Sequence, residues 1–407
     1  MTKKKIAVFT GNRAEYGLQY PVLKAIDQHP DLEYQLIVSG AHLDSNFGNT
    51  KKEIIEDGFK IHAEIDIILD EVKSYATSQA IGSGVVSICK VLEQLEPDIM
   101  LVYADRYEGF AAVIAASQMN IPTAHIEGGD ITEGGALDDS VRHAMTKLSH
   151  IHFTTNQQAT NRILAMGEAS WRVHTVGFPA IDLIQNNNFA SPQEIENLLS
   201  FDVGKPIVLF TQHSVTTEFK LAQEQLKPSL DALSQLKKDI QVVITYPNND
   251  AGGQSIIDYI KEYFKDNQKD RIRVVSSLGR YNYHGILALS QDEGKQICCA
   301  GNSSSGIKET PVFKCPTVNI GTRQLNRLRA ENVIDTNYDR DEIIDAIEKC
   351  LYDKDFRSIV RQCSNPYGIG DAGKKIARVL ASTDMDLQKL LRKEMSIKGN
   401  VREGWFN

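Results

Sequence analysis

No block of lysine and arginine interleaved with aromatics occurs in these 407 residues, and the formal net charge is −8. That balance argues against a general nucleic-acid binder, whose affinity rests on neutralising phosphates. Lys3 to Lys5 read as a solvated start to the first strand, not as a targeting signal. No apolar run approaches the ~20 residues that span a bilayer, and no signal-peptide apolar core follows Met1. The expectation is a cytoplasmic protein with no membrane partner. Six cysteines (Cys89, Cys298, Cys299, Cys315, Cys350, Cys363) show no C-x-x-C spacing, which argues against a metal site built on them. Most lie in apolar surroundings, so reduced, buried thiols are expected. Low-complexity sequence and short repeats are lacking, and no strand candidate ends in the Asp-x-Asp pattern that holds a diphosphate–metal pair.

What is present is an alternation of short apolar runs with amphipathic stretches, the pattern of a parallel sheet covered by helices on both faces. The length exceeds what one core usually supports, so two domains are expected. Strand candidates in the first half are Ile6–Thr10, Tyr34–Ser39, Ile99–Tyr103, Thr123–Glu127 and Ile151–Thr155, with helical stretches such as Gln19–Gln28, Ala76–Leu95 and Gly109–Met119 between them. In the second half they are Ile207–Thr211, Gln241–Thr245, Ile272–Val275, Ile297–Ala300 and Thr317–Ile320. The polar stretch Gln185–Pro206 is the best linker candidate. Beyond Gly373 the chain reads as helix to Arg392, with apolar residues at Ile376, Val379, Leu380, Leu387, Leu390 and Leu391.

Two segments carry the strongest functional signal. Ile6–Gly17 is an apolar strand breaking into a glycine-containing turn with Asn12 and Arg13. Cys298–Glu309 is another strand, ending in Gly, Asn and three serines before a helix. A strand, a turn of small residues and a helix together aim backbone N–H groups and a positive helix end at an anion. Arg13 offers a planar, permanently charged grip on phosphate. Ser303, Ser304 and Ser305 with Gly306 read as a cradle of hydroxyls and N–H groups, and Glu309 is placed to reach a ribose diol. His213 follows a buried strand, and Arg323 in Gly321-Thr-Arg-Gln follows another; both can meet the same anion.

Acidic groups gather in the first half. Asp105-Arg106 stands at a strand's carboxyl end, where open α/β sheets bind ligands. In His125-Ile-Glu-Gly-Gly-Asp130 the period of two puts His125 and Glu127 on one face, and a glutamate beside other carboxylates is suited to proton transfer near neutral pH. In D-D-S-V-R-H-A-M-T-K-L (138–148), Val141, Met145 and Leu148 form a buried stripe. Asp138 then aligns with Arg142, and Asp139 with His143, while one aspartate caps the helix.

Together these segments resemble the hydrolysing UDP-N-acetylglucosamine 2-epimerases of sialic acid biosynthesis. T-G-N-R-A-E-Y-G, the strand plus D-R at Asp105, H-I-E-G-G, D-D-S-V-R-H-A-M-T-K-L-S-H, T-Q-H-S-V-T-T, G-N-S-S-S-G-I-K-E and N-I-G-T-R-Q occur in family order over roughly residues 5–375. The resemblance implies an α/β protein with two Rossmann-like domains of the glycosyltransferase-B type, UDP in the cleft, and assembly as a homodimer or homotetramer. The domains implied are 1–185 for the sugar, 186–375 for UDP, and a helical segment 376–407 crossing back to the first. It implies elimination of UDP from UDP-N-acetylglucosamine to a 2-acetamidoglucal, then addition of water to release N-acetylmannosamine. No metal or redox cofactor is expected, because elimination carries no hydride.

By the same resemblance Asp105, Glu127 and Asp138 share the proton transfers. Arg13, His213, Ser303, Ser304 and Arg323 hold the diphosphate, Ser305 and Gly306 complete that cradle, and Glu309 holds the ribose. Arg106, Asp139, Arg142 and His143 contact substrate. Two departures stand out: Ala104 replaces the glycine common before the first D-R, and the loop from Glu127 to Asp138 is longer, with E-G-G at 133–135. Asp139 in place of Asp138 is therefore an open register. A UDP-2,4-diacetamido sugar of the legionaminic acid route, the non-hydrolysing epimerases, a glycosyltransferase of the same fold and a nucleotide-sugar sensor are the alternatives.

Overall fold

The computed structural model describes residues 3–43, 50–67, 75–131, 137–248, 252–265 and 270–396. The chain divides into two compact units. Unit 1 comprises Met1–Asp130, Leu137–Leu183 and Gly370–Asn407; unit 2 comprises Ile131–Ala136 and Ile184–Ile369.

Unit 1 is built on strands β1 (Lys4–Thr10), β2 (Leu32–Ser39), β3 (Ile61–Ile65), β4 (Ile99–Tyr103), β5 (Thr123–Ile126), β6 (Ile151–Thr154) and β7 (Val173–Thr175). They form one parallel sheet in the order β3-β2-β1-β4-β5-β6-β7. Its central strands are buried on both faces, which is why they read as unbroken apolar runs. Small residues set the helix spacing on one face. Ala76, Ala80, Gly84, Ile88 and Leu92 recur every fourth residue on the helix Ala76–Leu95 and meet the alanine-rich helix Tyr107–Gln118. A Cβ on Gly84 would stand 3.2 Å from that of Ala111, so any larger side chain there forces the helices apart.

Unit 2 repeats the plan with β8 (Ile207–Thr211), β9 (Gln241–Thr245), β10 (Ile272–Val275), β11 (Ile297–Gly301), β12 (Thr317–Ile320) and β13 (Val333–Thr336). The order is β10-β9-β8-β11-β12-β13, all parallel. In each sheet the strand order reverses beside the first strand, between β1 and β4 and between β8 and β11. Ligands of open α/β sheets settle outside the carboxyl ends at such a reversal.

Three strands escape the sequence reading: β3, β7 and β13. Each is an edge strand of three to five residues and is half-buried at most positions, so none shows a continuous apolar run. The polar stretch 185–206 is not an open connector. It contains the helix Pro192–Leu199, opened by a full capping box between Ser191 and Glu194. Ile195 and Leu199 of that helix sit in the unit 2 core.

The stretch after Gly373 is two helices, Ala372–Ser382 and Leu387–Leu391, not one. Ile376, Leu380 and Leu390 are buried in the unit 1 core while Leu387 faces outward. Lys4 Nζ donates to the carbonyls of Leu380, Ala381 and Thr383 where the first of these helices ends. Arg172 holds the carbonyls of Lys389, Leu390 and Arg392. A Cβ on Gly373 would lie 2.5 Å from the Pro21 carbonyl oxygen, a close approach only glycine allows.

Candidate active site

In unit 1 the site is assembled at the carboxyl ends of β1, β4 and β5. After Tyr103 the backbone turns through Ala104 at φ +55°, and after Ile126 through Glu127 at φ +64°. Both are left-handed conformations that side chains other than glycine's rarely adopt. The glycine common at the first position is thus explained, and alanine accepts the strain. His125 braces the turn: Nε2–H donates to the Ala104 carbonyl at 2.7 Å, and the Thr146 hydroxyl lies 3.2 Å from Nδ1. Burial drives the His125 pKa down to about 3, so the ring is neutral. Because Glu127 leaves the strand geometry, period two does not set its direction, and His125 serves the turn.

Arg142 reaches both turns. Its guanidinium pairs with Asp105 Oδ2 and donates to the Glu127 carbonyl oxygen at 3.2 Å. The side chain is 97% buried, with 3% of its area exposed. Burial alone would lower its pKa, but Asp105, Glu127, Asp130 and Asp139 outweigh it and hold the guanidinium charged. Arg142 thus reaches a partner 37 residues away in sequence, beyond its own helix. In the helix Leu137–Leu148 the fully buried positions are Asp139, Arg142, Met145 and Thr146. Val141 and Leu148 of the expected stripe are only partly buried, against the core. Asp138 is exposed and Asp139 is buried, so of the two it is Asp139 that joins the acidic group around Arg142. His143 lies half-buried beside Asp139, and burial lowers its pKa. The loop residues 133–135 fall outside the described residues.

A second acidic group stands beside the first and escaped the sequence reading. Glu15 and Glu108 are both almost wholly buried and close on Gly11 from two sides. Glu15 Oε2 accepts from Gly11 N at 2.7 Å, and a Cβ on Gly11 would stand 3.2 Å from Glu108 Cδ. Arg106 pairs with Glu108 at 3.2 Å. Burial, then Glu108 and Asp105, push the Glu15 pKa up to about 8 against the bond from Gly11, so Glu15 holds a proton at neutral pH. Acids in a helix's first turn usually face solvent and the helix dipole, which hid these two. Arg13 is the first residue of the helix Arg13–Asp27, capped by Asn12. It is exposed and paired with Glu53 at 2.9 Å.

In unit 2 the turns after β8 and β11 are locked together. Gly301 has φ +121°, and a Cβ there would lie 1.9 Å from the Thr211 carbonyl oxygen. Asn302 clamps His213 by its backbone: His213 N donates to Oδ1 at 2.6 Å and Nδ2 donates to His213 O at 2.8 Å. The His213 ring meets Asn248, whose N–H donates to Nδ1 at 3.2 Å. Arg323 and the buried Gln324 donate to the Asn302 carbonyl at 3.2 and 2.9 Å. Asn302 and Gln324 were missed because buried amides have no sequence period.

Ser303, Ser304 and Ser305 follow, with Ser305 Oγ held by Tyr283 OH at 2.7 Å. The helix they open, Ser305–Lys308, is a single turn, and Gly306 within it is buried. Glu309 meets His284 Nε2 at 2.7 Å. Unit 2 thus brings together His213, the serines and Arg323 around Asn302, and unit 1 brings together Asp105, Glu127, Asp139 and Arg142. Among the described residues no group of three or more His, Cys, Asp and Glu side chains is arranged to hold a metal ion. No helix among them is long and apolar enough to cross a membrane.

A family model described as UDP-N-acetylglucosamine 2-epimerase matches residues 24–381. The chain is 34% identical over 357 residues to the GDP/UDP-N,N'-diacetylbacillosamine 2-epimerase (hydrolyzing) of Campylobacter jejuni, covering 88% of this chain and 90% of that protein. It is 34% identical over 387 residues to the UDP-N,N'-diacetylbacillosamine 2-epimerase (hydrolyzing) of Legionella pneumophila, covering 95% and 98%. To the UDP-N-acetylglucosamine 2-epimerase of Neisseria meningitidis it is 32% identical over 347 residues, covering 85% and 87%. Among solved structures, a UDP-GlcNAc 2-epimerase from Neisseria meningitidis bound to UDP-GlcNAc superposes with TM-score 0.78 at 20% identity, covering 93% of this chain and 100% of that one. A 2-epimerase structure from Listeria monocytogenes gives 0.75 at 20% identity, with 94% and 98% covered. These likenesses give the fold, two Rossmann-like units of the glycosyltransferase-B type.

Proposed function

The chain belongs to the UDP-N-acetylglucosamine 2-epimerase family and is a UDP-sugar 2-epimerase, and from that premise we propose that it acts hydrolytically on a UDP-activated 2-acetamido sugar. A carboxylate of unit 1 removes the weakly acidic C-2 proton, and the bond from C-1 to the UDP oxygen breaks, leaving a 2-acetamidoglucal. Water then adds its oxygen to C-1 while a proton returns to C-2 on the opposite face. The products are UDP and the free 2-epimer.

The observation that carries this reading is the Arg142 bridge. The Asp105 carboxylate and the Glu127 backbone carbonyl, from the ends of adjacent strands, converge on one buried guanidinium, which fixes the position of both turns. Asp105, Glu127 and Asp138 divide the proton transfers, with the buried Asp139 as the alternative register for the third of them. Arg106, Asp139, Arg142 and His143 position the sugar. In unit 2, His213, Ser303, Ser304, Ser305, Gly306 and Arg323 take the diphosphate and stabilise the charge on departing UDP; Arg13 is a further phosphate-binding candidate. Glu309 takes the ribose. Assembly as a homodimer or homotetramer in the cytoplasm belongs to the same reading, and sedimentation of the purified protein tests it.

UDP-N-acetylglucosamine, giving N-acetylmannosamine for sialic acid synthesis, is the first substrate. A UDP-2,4-diacetamido-trideoxyhexose is the second, favoured by the names of the Campylobacter and Legionella relatives and by the longer loop before Asp138. A proton NMR time course in D₂O with each nucleotide sugar decides. Free 2-epimer with UDP and deuterium at C-2 supports the hydrolytic reading. A UDP-linked 2-epimer as the end product overturns it, and the substrate turned over faster is the one assigned.

A further inference from the structure

We propose that Lys393 is a positioning residue for the reaction: its ammonium clamps the C-terminal end of the helix Leu137–Leu148 and so sets Arg142 and Thr146 of that helix against the Asp105 turn. Its role rests on the epimerase reading, from which Asp105 and Arg142 take theirs. All the groups involved belong to unit 1. Lys393 Nζ donates to the carbonyl oxygens of Ser149 at 2.5 Å, Lys147 at 2.7 Å and Thr146 at 3.4 Å. Carbonyls at a helix end have no partner within the helix, and a cation there also meets the negative end of the helix dipole. Only 18% of the Lys393 side chain is exposed, so the ammonium takes the place of water at these oxygens.

Lys393 is held from both sides along the chain. The buried Arg172 donates to the carbonyls of Lys389, Leu390 and Arg392 before it, and Ser396 N donates to Gly167 O at 2.7 Å after it. Behind the ammonium stands the almost wholly buried Glu168. Its Oε2 lies 3.0 Å from Lys393 Nζ and 3.3 Å from His152 Nε2, and its Oε1 lies 2.6 Å from Lys147 Nζ. Burial alone would raise the Glu168 pKa, but the bonds from His152 and Lys147 and the charge of Lys393 lower it to about 2. Burial lowers the Lys393 pKa to about 8 against the pull of Glu168, so both groups are charged at pH 7.

Any of these contacts would serve to dock the end of the chain; what sets Lys393 apart is the helix it meets. Arg142, one turn before Thr146 on that helix, pairs with Asp105. The Thr146 hydroxyl lies 3.2 Å from His125 Nδ1, and His125 Nε2–H donates to the Ala104 carbonyl. Thr146 therefore meets Lys393 through its carbonyl and the brace of the Asp105 turn through its hydroxyl. A helix rises about 1.5 Å per residue, so a last turn that frays or slips moves Arg142 and Thr146 by ångströms, and a misplacement of about 1 Å can cost about 10² in rate. Lys4 supplies the contrast. It makes the same kind of bonds to the carbonyls of Leu380, Ala381 and Thr383, at 2.8, 3.0 and 2.8 Å, but the helix it closes, Ala372–Ser382, carries none of the site residues.

Kinetics of the full chain at pH 7 test this, comparing the wild type with Lys393→Met and Lys4→Met on whichever UDP-sugar the wild type turns over. Lys393→Met is expected to lower kcat at least about tenfold with KM within about twofold, because the diphosphate contacts belong to unit 2. Lys4→Met is expected to lower the melting temperature by a similar amount yet keep kcat within about twofold. Glu168 keeps Lys147 and His152 in the Lys393→Met chain, so that chain should fold; Lys393→Gln, which retains a donor without the charge, replaces it if it does not. Hydrogen exchange in the helix Leu137–Leu148 needs no substrate: it should quicken about tenfold in Lys393→Met and stay unchanged in Lys4→Met. A wild-type chain that turns over no UDP-sugar counts against the epimerase reading, and exchange then judges the clamp by itself. Unchanged kcat in a folded Lys393 variant, a rise in KM alone, equal losses of kcat in the Lys393 and Lys4 variants, or unchanged exchange in the helix overturns the proposal.

Discussion

The two units share a strand order and a reversal point, yet what they bury there is opposite in kind. Unit 1 buries ionisable groups: Glu15, Glu108, Glu127, Asp130 and Asp139 beside the permanently charged Arg142, with His42, His125, His150 and His152 in the same unit. Unit 2 buries mostly fixed dipoles: Gln212, Asn302, Asn319, Gln324 and Asn332, with the hydroxyls of Ser229, Thr310 and Thr317. Lys308, Arg327 and His284 are charged or titratable exceptions, and its buried thiols and Tyr367 are neutral at physiological pH. One architecture is thus wired two ways. Moving a proton requires groups near the balance of two charge states. Holding a leaving diphosphate requires donors that do not reorganise as charge develops.

The largest break in that contrast is expected from Arg142→Met. It leaves Asp105 and the carboxylates around it without their shared cation, and losing one partner of a buried pair costs about 3–5 kcal/mol. Denaturant unfolding should show that loss, and turnover should fall by at least about 10³ as the acid group reorganises. A variant within 1 kcal/mol of the wild type, by the usual scale for tolerated core changes, would mean the pair is incidental. Next come Asp105→Asn and Glu127→Gln, which keep shape and remove charge. Each is expected to lower kcat by about 10²–10⁴ with little change in KM if it moves a proton. Asn302→Ala in unit 2 should do the reverse. Without the clamp on His213 the cradle loosens, so KM for the UDP-sugar should rise about tenfold while kcat falls less. If Asn302→Ala changes kcat alone, the division of labour between the units fails.

Much of this was legible in the sequence, and the parts that were not share a cause. Central strands such as Ile99–Tyr103 and Ile207–Thr211 declared themselves as apolar runs because both faces are covered. Asp105, Glu127, His213 and the three serines declared themselves by standing after such strands. The pairing of Arg142 with Asp105, 37 residues apart, did not, because local helix spacing pointed to Asp138 instead. Glu15 was hidden for the same reason: its sequence neighbourhood describes a helix start, and only the fold brings Glu108 and Gly11 against it. Sequence periods report the face a residue occupies. They do not report which polar partners share that face.

Stability against pH sharpens the comparison further. His42, His125, His150 and His152 are held near pKa 4, 3, 4 and 4 by burial. The unfolded chain binds those protons more readily, so stability present above pH 6.5 is lost as pH falls toward 4. Glu15 acts the other way: its folded pKa is raised from 4.5 to about 8. Its contribution is full below 4.5 and lost as pH rises to 8. Unit 1 should therefore be most stable near pH 6.5, falling on the alkaline side by up to about 1.4 kcal/mol per pH unit for the single Glu15 proton. Hydrogen exchange in β4, β5 and β6, compared with β8 and β11 at several pH values, reads this directly. Glu15→Gln should flatten the alkaline limb in unit 1 and leave unit 2 unchanged. An alkaline limb that survives the substitution would place the proton elsewhere.

The smallest expected effect concerns Ala104. An L-residue held at φ +55° costs about 1 kcal/mol relative to an unstrained backbone. Glycine removes that strain but gives back about 0.5–1 kcal/mol through the greater entropy of the unfolded chain. Ala104 also packs its methyl partly against the unit 1 core, which glycine forfeits. Ala104→Gly should therefore shift stability by less than about 0.5 kcal/mol, with turnover within about twofold of the wild type. The turn is held by His125 Nε2 on the Ala104 carbonyl and by Ala104 N on Ile126 O at 3.0 Å, and neither bond uses the side chain. If Ala104→Gly instead lowers kcat strongly with stability unchanged, the methyl group restrains Asp105 directly. The acid group of unit 1 would then depend on packing at its backbone as well as on the charge of Arg142.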